Sequence, residues 1–226
     1  MALILNIDTA TEIAFVNIAK DGRMLHELIH DKQRDHAAFV QPAIASLIKQ
    51  AGVDLHELDA VAVTEGPGSY TGLRVGMASA KGICYALDKK LIAISSLELL
   101  ASSAISVAGD ATALYCAMID ARRMEVFTAI YTNTLAEVIS PAACVLEENS
   151  YNEILINYKI FFTGSGTIEW GSICTHNNAN FISLQSLSAH MSELSFIKFN
   201  THHFADLNYA EPLYIKGFSV HAKKFS

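Results

Sequence analysis

The stretch VAVTEGPGSYTGLRVGMASAKG, residues 61–82, decides the fold of this chain. It starts as a short apolar strand, passes through a loop with three glycines and a proline, and continues as a helix of small residues to about Leu87. Glycine adopts left-handed backbone conformations freely and proline fixes φ, so this loop follows an unusual path. It leads into a helix N-terminus, where unpaired N–H groups attract anions. Because the pattern is neither a P-loop nor GxGxxG, two interpretations stay open: a phosphate-binding loop, and a tight turn without a ligand.

The helix that follows the loop has two apolar sides. One side carries Leu73, Gly76, Met77, Ala80, Cys84 and Leu87, and the other carries Val75, Ala78, Ser79, Gly82, Ile83 and Ala86. A surface helix typically shows a single apolar stripe roughly 100° wide. We therefore predict that this helix is buried on both sides. Its own sheet covers one side, and either the rest of this chain or a partner protein covers the other.

The composition limits the classes of function. The chain has 226 residues, of which 51% are hydrophobic and 17% charged, and its formal net charge is −7. This acidic balance gives no indication of autonomous binding to nucleic acid or to an anionic membrane. The four cysteines form no CxxC pair, which predicts free thiols in a reducing compartment and hence a cytoplasmic protein. The first residues lack the basic segment of a signal peptide.

Apolar runs and turn signals predict the order of the elements. Three strands open the chain, the second and third joined at an Asp21-Gly22 hairpin turn. A helix over His36–Ala51 comes next, and the first half reads βββαβαβα. A reduced repeat of this order follows Gly109. The sequence thus predicts an α/β protein of two related lobes, residues 1–108 and 109–226, each a mixed sheet with flanking helices.

Three prolines mark irregular places in this order. Pro42 lies inside the first helix, which is then either kinked or regular only beyond it. Pro141 indicates that the strand Glu137–Leu146 either lies at a sheet edge or is broken there. Pro212 belongs to a tail, from Asn200 onward, that we expect to dock as an extended segment, with a return to the first lobe as one option.

The motif His26-Glu27-Leu28-Ile29-His30 has the HExxH spacing of a zinc peptidase. On a helix its two histidines would share one face. Here the segment follows a hairpin turn and is predicted to be a strand, in which four residues rise about 13 Å. Two imidazoles that far apart cannot bind one zinc ion, so we reject a zinc peptidase and expect no metal ligand in this motif.

Weak signals for phosphate or nucleotide binding fall at corresponding places in the two halves. Asp8 and Thr9 end the first strand, Asp120 and Arg122 lie in a hairpin turn, and a Gly-Ser-Gly sequence follows a strand of the second half. Paired sites of this kind are typical of an actin-like ATPase, so a stand-alone actin-like ATPase or kinase is the alternative hypothesis. The candidate loop residues are Asp8, Thr9, Gly66, Gly68, Ser69, Thr71, Gly72, Arg74, Asp120, Arg122, Gly164 and Gly166.

Three motifs resemble one known family. IDTA at 7–10, TEGPGSYTGLRVG at 64–76 and DARRMEV at 120–126 are similar to the bacterial TsaB (YeaZ) family, the non-catalytic partner subunit in the synthesis of threonylcarbamoyladenosine (t6A) on tRNA. The match in order covers roughly the first 130 residues. The rest matches loosely, through FTGSG at 162–166 and PLYI at 212–215. Met124 stands where the family usually has glycine.

The resemblance implies an actin/Hsp70-like fold and a scaffold subunit without catalytic residues. Such a subunit is required for threonylcarbamoylation of adenosine 37 in tRNAs that read ANN codons. It pairs with a larger catalytic paralogue of the TsaD type and contacts a P-loop ATPase of the TsaE type. ATP and the metal are expected on these partners, tRNA is reached only through the complex, and no membrane is involved. Without its partner such a subunit is expected to form a homodimer.

The resemblance also implies where the partner binds. Family members pair through two helices of the first lobe, here His36–Ala51 and Leu73–Leu87. In the first of these helices only His36 stands where the catalytic paralogue has paired metal histidines, with Val40 one turn on, and one imidazole does not hold a metal ion. The expected interface residues are His36, Phe39, Val40, Ile44, Leu47, Leu73, Gly76, Met77, Ala80, Ile83 and Cys84.

Overall fold

A computed structural model describes residues 1–31 and 35–215 of the chain. Its first sheet has five strands in the spatial order β3-β2-β1-β4-β5. Strands β1, β2 and β3 are antiparallel neighbours, whereas β4 and β5 run parallel to β1. The strands are β1 (Leu3–Asp8), β2 (Ala14–Lys20), β3 (Arg23–His30), β4 (Ala60–Gly66) and β5 (Lys90–Ser95).

The second sheet repeats this arrangement. Its order is β10-β9-β6-β7-β8, again with three antiparallel strands followed by two parallel ones. The predicted fold of two related lobes is therefore confirmed: both sheets place their first strand in the centre and reach the parallel strands through helical crossovers. The strands are β6 (Leu114–Asp120), β7 (Glu125–Tyr131), β8 (Glu137–Val145), β9 (Ile160–Thr163) and β10 (Ala179–Phe181).

Within the described residues, six α-helices cover the sheets. Helices α1 and α2 pack on one face of the first sheet, and α3 and α6 pack on the other face. Helix α3 also contacts the second sheet and thus lies between the two sheets. None of the helices within residues 1–31 and 35–215 could cross a membrane. The helices are α1 (His36–Ala51), α2 (Tyr70–Leu87), α3 (Ser96–Ala108), α4 (Asn152–Leu155), α5 (Thr167–Trp170) and α6 (Ser188–Asn200).

Helix α6 returns to the first sheet although it follows the second sheet in sequence. The amide Nδ2 of Asn17 donates to the backbone oxygen and to Oγ of Ser188, at 2.9 and 2.7 Å. Ser192 Oγ donates to Asn17 Oδ1 at 3.1 Å, and Asn6 Nδ2 donates to the same oxygen at 2.8 Å. All four side chains are fully buried. The segment that returns to the first sheet thus begins at α6, earlier than the predicted start at Asn200.

Other differences from the predicted elements are local. Helix α1 runs through Pro42 without interruption from residue 36 to residue 51. Pro141 lies in β8, which is an edge strand, the first of the two predicted alternatives. In the second half, helix α4 has only four residues, 152–155, and strand β10 only three, 179–181. The boundary predicted between residues 108 and 109 falls between the two sheets and remains a prediction of how the lobes divide.

Candidate functional site

The carboxyl ends of the four central parallel strands face the gap between the sheets. Asp8 ends β1, Gly66 ends β4, Asp120 ends β6, and Gly164 directly follows β9. In open α/β sheets this is the edge at which ligands bind. Of the candidate loop residues, Asp8 and Gly164 line the cleft between the sheets, whereas Asp120 and Gly166 line a separate, smaller pocket. Their contacts decide which chemistry the site supports.

The glycine-rich loop after β4 packs directly against the segment after β1. A methyl group at Gly68 would overlap the backbone oxygen of Ala10, and one at Gly72 would overlap that of Thr9. Ser69 N donates to Ala10 O at 2.7 Å, and Thr9 Oγ1 donates to Gly72 O at 2.7 Å. The absence of a side chain at Gly68 and Gly72 thus serves the close approach of two backbone segments. This geometry favours the tight structural turn over a phosphate-binding loop.

The N-terminus of α2 is also occupied by the chain itself. Ser69 is the N-cap residue, and its Oγ accepts from the backbone N–H of Gly72 at 3.3 Å. A phosphate at this position would have to replace that bond. Arg74 lies one turn further on, where its guanidinium stacks 3.9 Å above the Tyr70 ring and its Nε donates to Tyr214 Oη at 3.1 Å. Arg74 therefore binds the C-terminal tail.

Asp8 is a buried carboxylate without an ion pair among the residues that the structure describes. Only 2% of it is exposed. Its Oδ1 accepts from Ala10 N at 2.9 Å and from Thr64 Oγ1 at 2.7 Å. Burial raises the pKa of this carboxyl, because removal from water penalises the charged form more than these hydrogen bonds stabilise it.

The corresponding loops of the second half are held in strained and tightly packed conformations. Asp120 Oδ1 accepts from Arg122 N at 2.7 Å, which closes the hairpin turn between β6 and β7. Arg122, Arg123 and Met124 all have left-handed backbone angles, with φ of 70°, 59° and 59°. Met124 therefore occupies a conformation that favours glycine. A methyl group at Gly164, whose own φ is 99°, would overlap the backbone oxygen of Met118.

The HExxH motif is confirmed to be a strand. His26 to His30 belong to β3, and no group of three or more potential metal ligands occurs in the part of the chain that the structure describes. His30 stacks on Phe39 of α1 with ring centroids 4.9 Å apart, and its ring lies edge-on to His36 at 6.0 Å. These two histidines pack β3 against α1.

The predicted partner-interface residues lie mostly inside this chain. Nine of the eleven are buried, and Phe39 and Ile83 are partly buried against the same core cluster. A methyl group at Gly76 would overlap Thr9 Oγ1. The buried side chains therefore pack within their own lobe, and contact of the eleven residues with a partner remains a prediction. The buried nine are His36, Val40, Ile44, Leu47, Leu73, Gly76, Met77, Ala80 and Cys84.

Helices α1 and α2 also have a side that faces away from their own sheet. For this side of α2 the sequence left two alternatives, contact with the rest of this chain or with a partner. Gln41 Nε2 on α1 donates to Ser79 Oγ on α2 at 2.9 Å, which fixes the two helices side by side. A methyl group at Gly82 would meet no atom within 4 Å. We call this surface the outer face. It consists almost entirely of small side chains, Ala38, Gln41 and Ala45 on α1 and Thr71, Val75, Ala78, Gly82 and Ala86 on α2, all exposed except the partly buried Val75.

Sequence comparisons identify relatives of the chain. A family model described as TsaD, tRNA N6-adenosine threonylcarbamoyltransferase, matches residues 25–210. The tRNA threonylcarbamoyladenosine biosynthesis protein TsaB of Bacillus subtilis is 34% identical over 140 residues, which cover 61% of this chain and 59% of that protein. The protein of the same name from Haemophilus influenzae is 29% identical over 225 residues, which cover 94% of this chain and 93% of that protein.

Solved structures agree with this result. A Pseudomonas aeruginosa protein described as similar to peptidase YeaZ superimposes with a TM-score of 0.82 at 26% identity, covering 96% of this chain and all of that one. The ethanolamine utilization protein EutJ of Carboxydothermus hydrogenoformans superimposes with a TM-score of 0.50 at 9% identity, covering 87% of this chain and 90% of that one. The second likeness concerns the fold alone, and it agrees with the actin/Hsp70-like arrangement of the two sheets.

Proposed function

Because the chain belongs to the TsaD family of tRNA N6-adenosine threonylcarbamoyltransferase proteins, and within it to the bacterial TsaB (YeaZ) family, we propose that it is the scaffold subunit of a t6A-synthesising complex. In this role it binds a catalytic TsaD-type paralogue and contributes no catalytic group. The adenosine that the complex modifies is position 37 of tRNAs reading ANN codons, and tRNA is bound only through the complex.

The outer face is the observation that carries this proposal. Small side chains let a partner helix approach the backbone closely, so that two helices of the partner can pack on α1 and α2 as a four-helix bundle. Nothing within this chain covers Ala78 or Gly82 among the described residues. An exposed apolar surface of this kind is typical of a protein-binding site.

Three features support a role without catalysis. The glycine-rich loop and the N-terminus of α2 are occupied by the chain's own groups. Arg74, the one cation of that loop, binds the tail. The described part of the chain holds no cluster of three metal-ligating side chains. These contacts also weigh against the alternative hypothesis, a stand-alone actin-like ATPase or kinase, because Arg74 is already bound to the tail and the helix N-terminus is already capped.

The remaining parts of the proposal concern assembly and location. We propose that the complex also includes a P-loop ATPase of the TsaE type, which binds ATP, and that metal is held by the TsaD-type subunit. When the partner is absent, the same outer face pairs two copies of this chain. All four cysteines are free thiols, which supports a location in the reducing cytoplasm.

Substitution of Gly82 tests the proposal. Gly82→Arg places a long charged side chain on the outer face, and we expect loss of co-purification with the TsaD-type paralogue. The variant should fold normally, because the site is open and arginine favours a helix over glycine by roughly 1 kcal/mol. The measurements are affinity co-purification and the midpoint of thermal unfolding.

Two matched variants complete this test. Ala111→Arg adds the same side chain to an exposed loop before β6, away from the outer face, and should leave pairing intact. Gly82→Ala should keep pairing and raise the unfolding midpoint slightly. Pairing of the Gly82→Arg variant at wild-type strength would refute the assignment of the outer face as the partner-binding surface.

A further inference from the structure

A large cleft lies between the two sheets, and the function proposed above does not use it. Its volume is about 790 Å³, within the range of roughly 300–1,000 Å³ that is usual for small-molecule sites. It lies between the strand ends of the first sheet and helix α5 with its flanking loops. A cavity of this size can enclose a ligand of drug-like dimensions.

The walls of the cleft are apolar, and the apolar side chains at its mouth are exposed. Ile13 directly precedes β2 and Ile29 lies in β3, and their exposed fractions are 52% and 53%. Ile168 and Phe181 come from the second half, and their exposed fractions are 77% and 39%. Large apolar side chains that surround a cavity and remain in water indicate a binding site, because a bound ligand removes their surface from solvent.

The charge of the cleft excludes nucleotide phosphates as its ligand. Among the described residues that line it there is one ionisable side chain, the carboxylate of Asp8, and there is no Lys, Arg or His. A triphosphate would meet a like charge and no counter-charge. Arg74 and Arg122, the cations of the candidate phosphate loops, do not line the cleft.

Three polar groups of the lining, the hydroxyls of Thr163 and Thr167 and the carboxylate of Asp8, can accept hydrogen bonds from a ligand. Thr163 Oγ1 donates to the backbone oxygen of Ile182 at 3.2 Å, and Thr167 Oγ1 donates to that of Gly164 at 2.8 Å. Each hydroxyl has one hydrogen, so both present only lone pairs to a ligand. Asp8 Oδ1 already accepts two hydrogen bonds, whereas no hydrogen bond to Oδ2 is found among the described residues. A ligand that donates hydrogen bonds suits this lining, and a ligand that carries positive charge also gives the buried carboxylate the ion pair it lacks.

From these observations we propose that the cleft binds a small apolar cation, an apolar body with one protonated amine that lies at Asp8. The apolar body packs between Ile13 and Ile29 on one side and Ile168 and Phe181 on the other. This inference is independent of pairing through the outer face, which lies on the opposite side of the first sheet.

A series of three probes of similar shape tests the proposal on the full chain. 2-Phenylethylamine, 2-phenylethanol and 3-phenylpropionate carry positive, neutral and negative head groups on one apolar body. Isothermal titration at pH 7 should give one amine site per chain, with affinity about tenfold above that of the alcohol, the factor expected for one charge-assisted hydrogen bond. The carboxylate should bind more weakly than the alcohol, and Mg·ATP should not displace the amine. Equal binding of amine and alcohol, binding of neither, or displacement by Mg·ATP would overturn the proposal.

Substitutions locate the site. Asp8→Asn keeps both hydrogen bonds to Oδ1 and should reduce amine affinity about tenfold to that of the alcohol, whereas Asp120→Asn, outside the cleft, should change nothing. Ile168 is exposed enough to accept a charge without loss of folding, so Ile168→Lys should weaken amine binding and Ile168→Glu should strengthen it. Unchanged amine affinity in Asp8→Asn, or a shift of the same sign in both Ile168 variants, would contradict the site.

Discussion

At the scale of single residues, Asp8 shows how the surroundings of a side chain can differ from what its position in the sequence indicates. The carboxylate stands at the end of β1. Here its Oδ1 is bonded within the chain and the loop beside it is packed by glycines. The sequence could predict the position of Asp8, because a strand end followed by Thr9 is a local signal. It could not predict the burial, which depends on residues far away in the chain.

The burial of Asp8 leads to a prediction about stability and pH. Its pKa is raised in the folded chain above the unfolded value near 3.8. The folded state therefore binds the proton more tightly, and ionisation costs the folded state free energy above the raised pKa. Asp8→Asn removes this cost, so we expect a higher midpoint of urea unfolding at pH 7. The difference from wild type should shrink as the pH falls through the raised pKa towards 3.8. A variant less stable than wild type at pH 7 would show that the hydrogen bonds outweigh burial.

At the scale of elements, α2 shows how far periodicity can predict packing. The pattern predicted two apolar sides correctly, and the structure buries only one of them. Gly76 and Ala80 face the first sheet, whereas Ala78 and Gly82 face solvent. Both pairs are small residues at helical spacing. The sequence therefore gives no signal that shows which side of α2 packs on its own sheet and which side is free to bind a partner. The bounds of β10 and of the short helix α4 cannot be predicted from periodicity either, because elements of three and four residues carry little of it.

Helix α2 also contacts the C-terminal tail, through Lys81. Lys81 Nζ donates to Ala210 O at 2.8 Å, and the tail continues to Leu213, whose N–H donates to Glu65 O at 2.6 Å. A further bridge joins Ala205 to Leu91 at the edge of β5. The tail thus covers the edge strand of the first sheet and ends beside the glycine-rich loop, which protects that edge from pairing with other chains.

A matched pair of substitutions measures this attachment. Leu213→Pro removes the N–H that binds Glu65 O, whereas Leu213→Ala keeps it and shortens a side chain that is 39% exposed. We expect the proline variant to lose about 1–2 kcal/mol of unfolding free energy relative to the alanine variant. Hydrogen exchange at the backbone N–H of Ala205 should also become faster in the proline variant. Equal unfolding free energies for the two variants would mean that the tail contributes nothing through this bond.

At the scale of the whole molecule, the two sheets have the same strand topology but differ in the helices that pack on them. The first sheet receives α1 and α2 on one face and α6, from the far end of the chain, on the other. The duplicated order of strands was predictable from turns and apolar runs. The return of α6 was not, because it depends on Asn17 and Ser188, which are 171 positions apart.

Fragment 1–108 tests the predicted lobe boundary. Without α6 the apolar side chains that Met191 and Leu194 cover would be exposed, together with the unpaired amide of Asn17. We expect this fragment to show no cooperative unfolding transition by circular dichroism, and addition of a peptide spanning 185–215 to restore one. A fragment that unfolds cooperatively by itself would show that α6 is dispensable to the first lobe.

The position of α6 has a consequence for biosynthesis. The chain emerges from the ribosome N-terminus first, so the strands of the first sheet are synthesised long before α6. Until α6 emerges, the face of the sheet that α6 covers stays exposed to solvent. Prematurely terminated products therefore lack α6, which packs on the face of the first sheet opposite α1 and α2. Only full-length molecules should present a firm platform for assembly, so that recruitment by the catalytic subunit also selects against incomplete translation products.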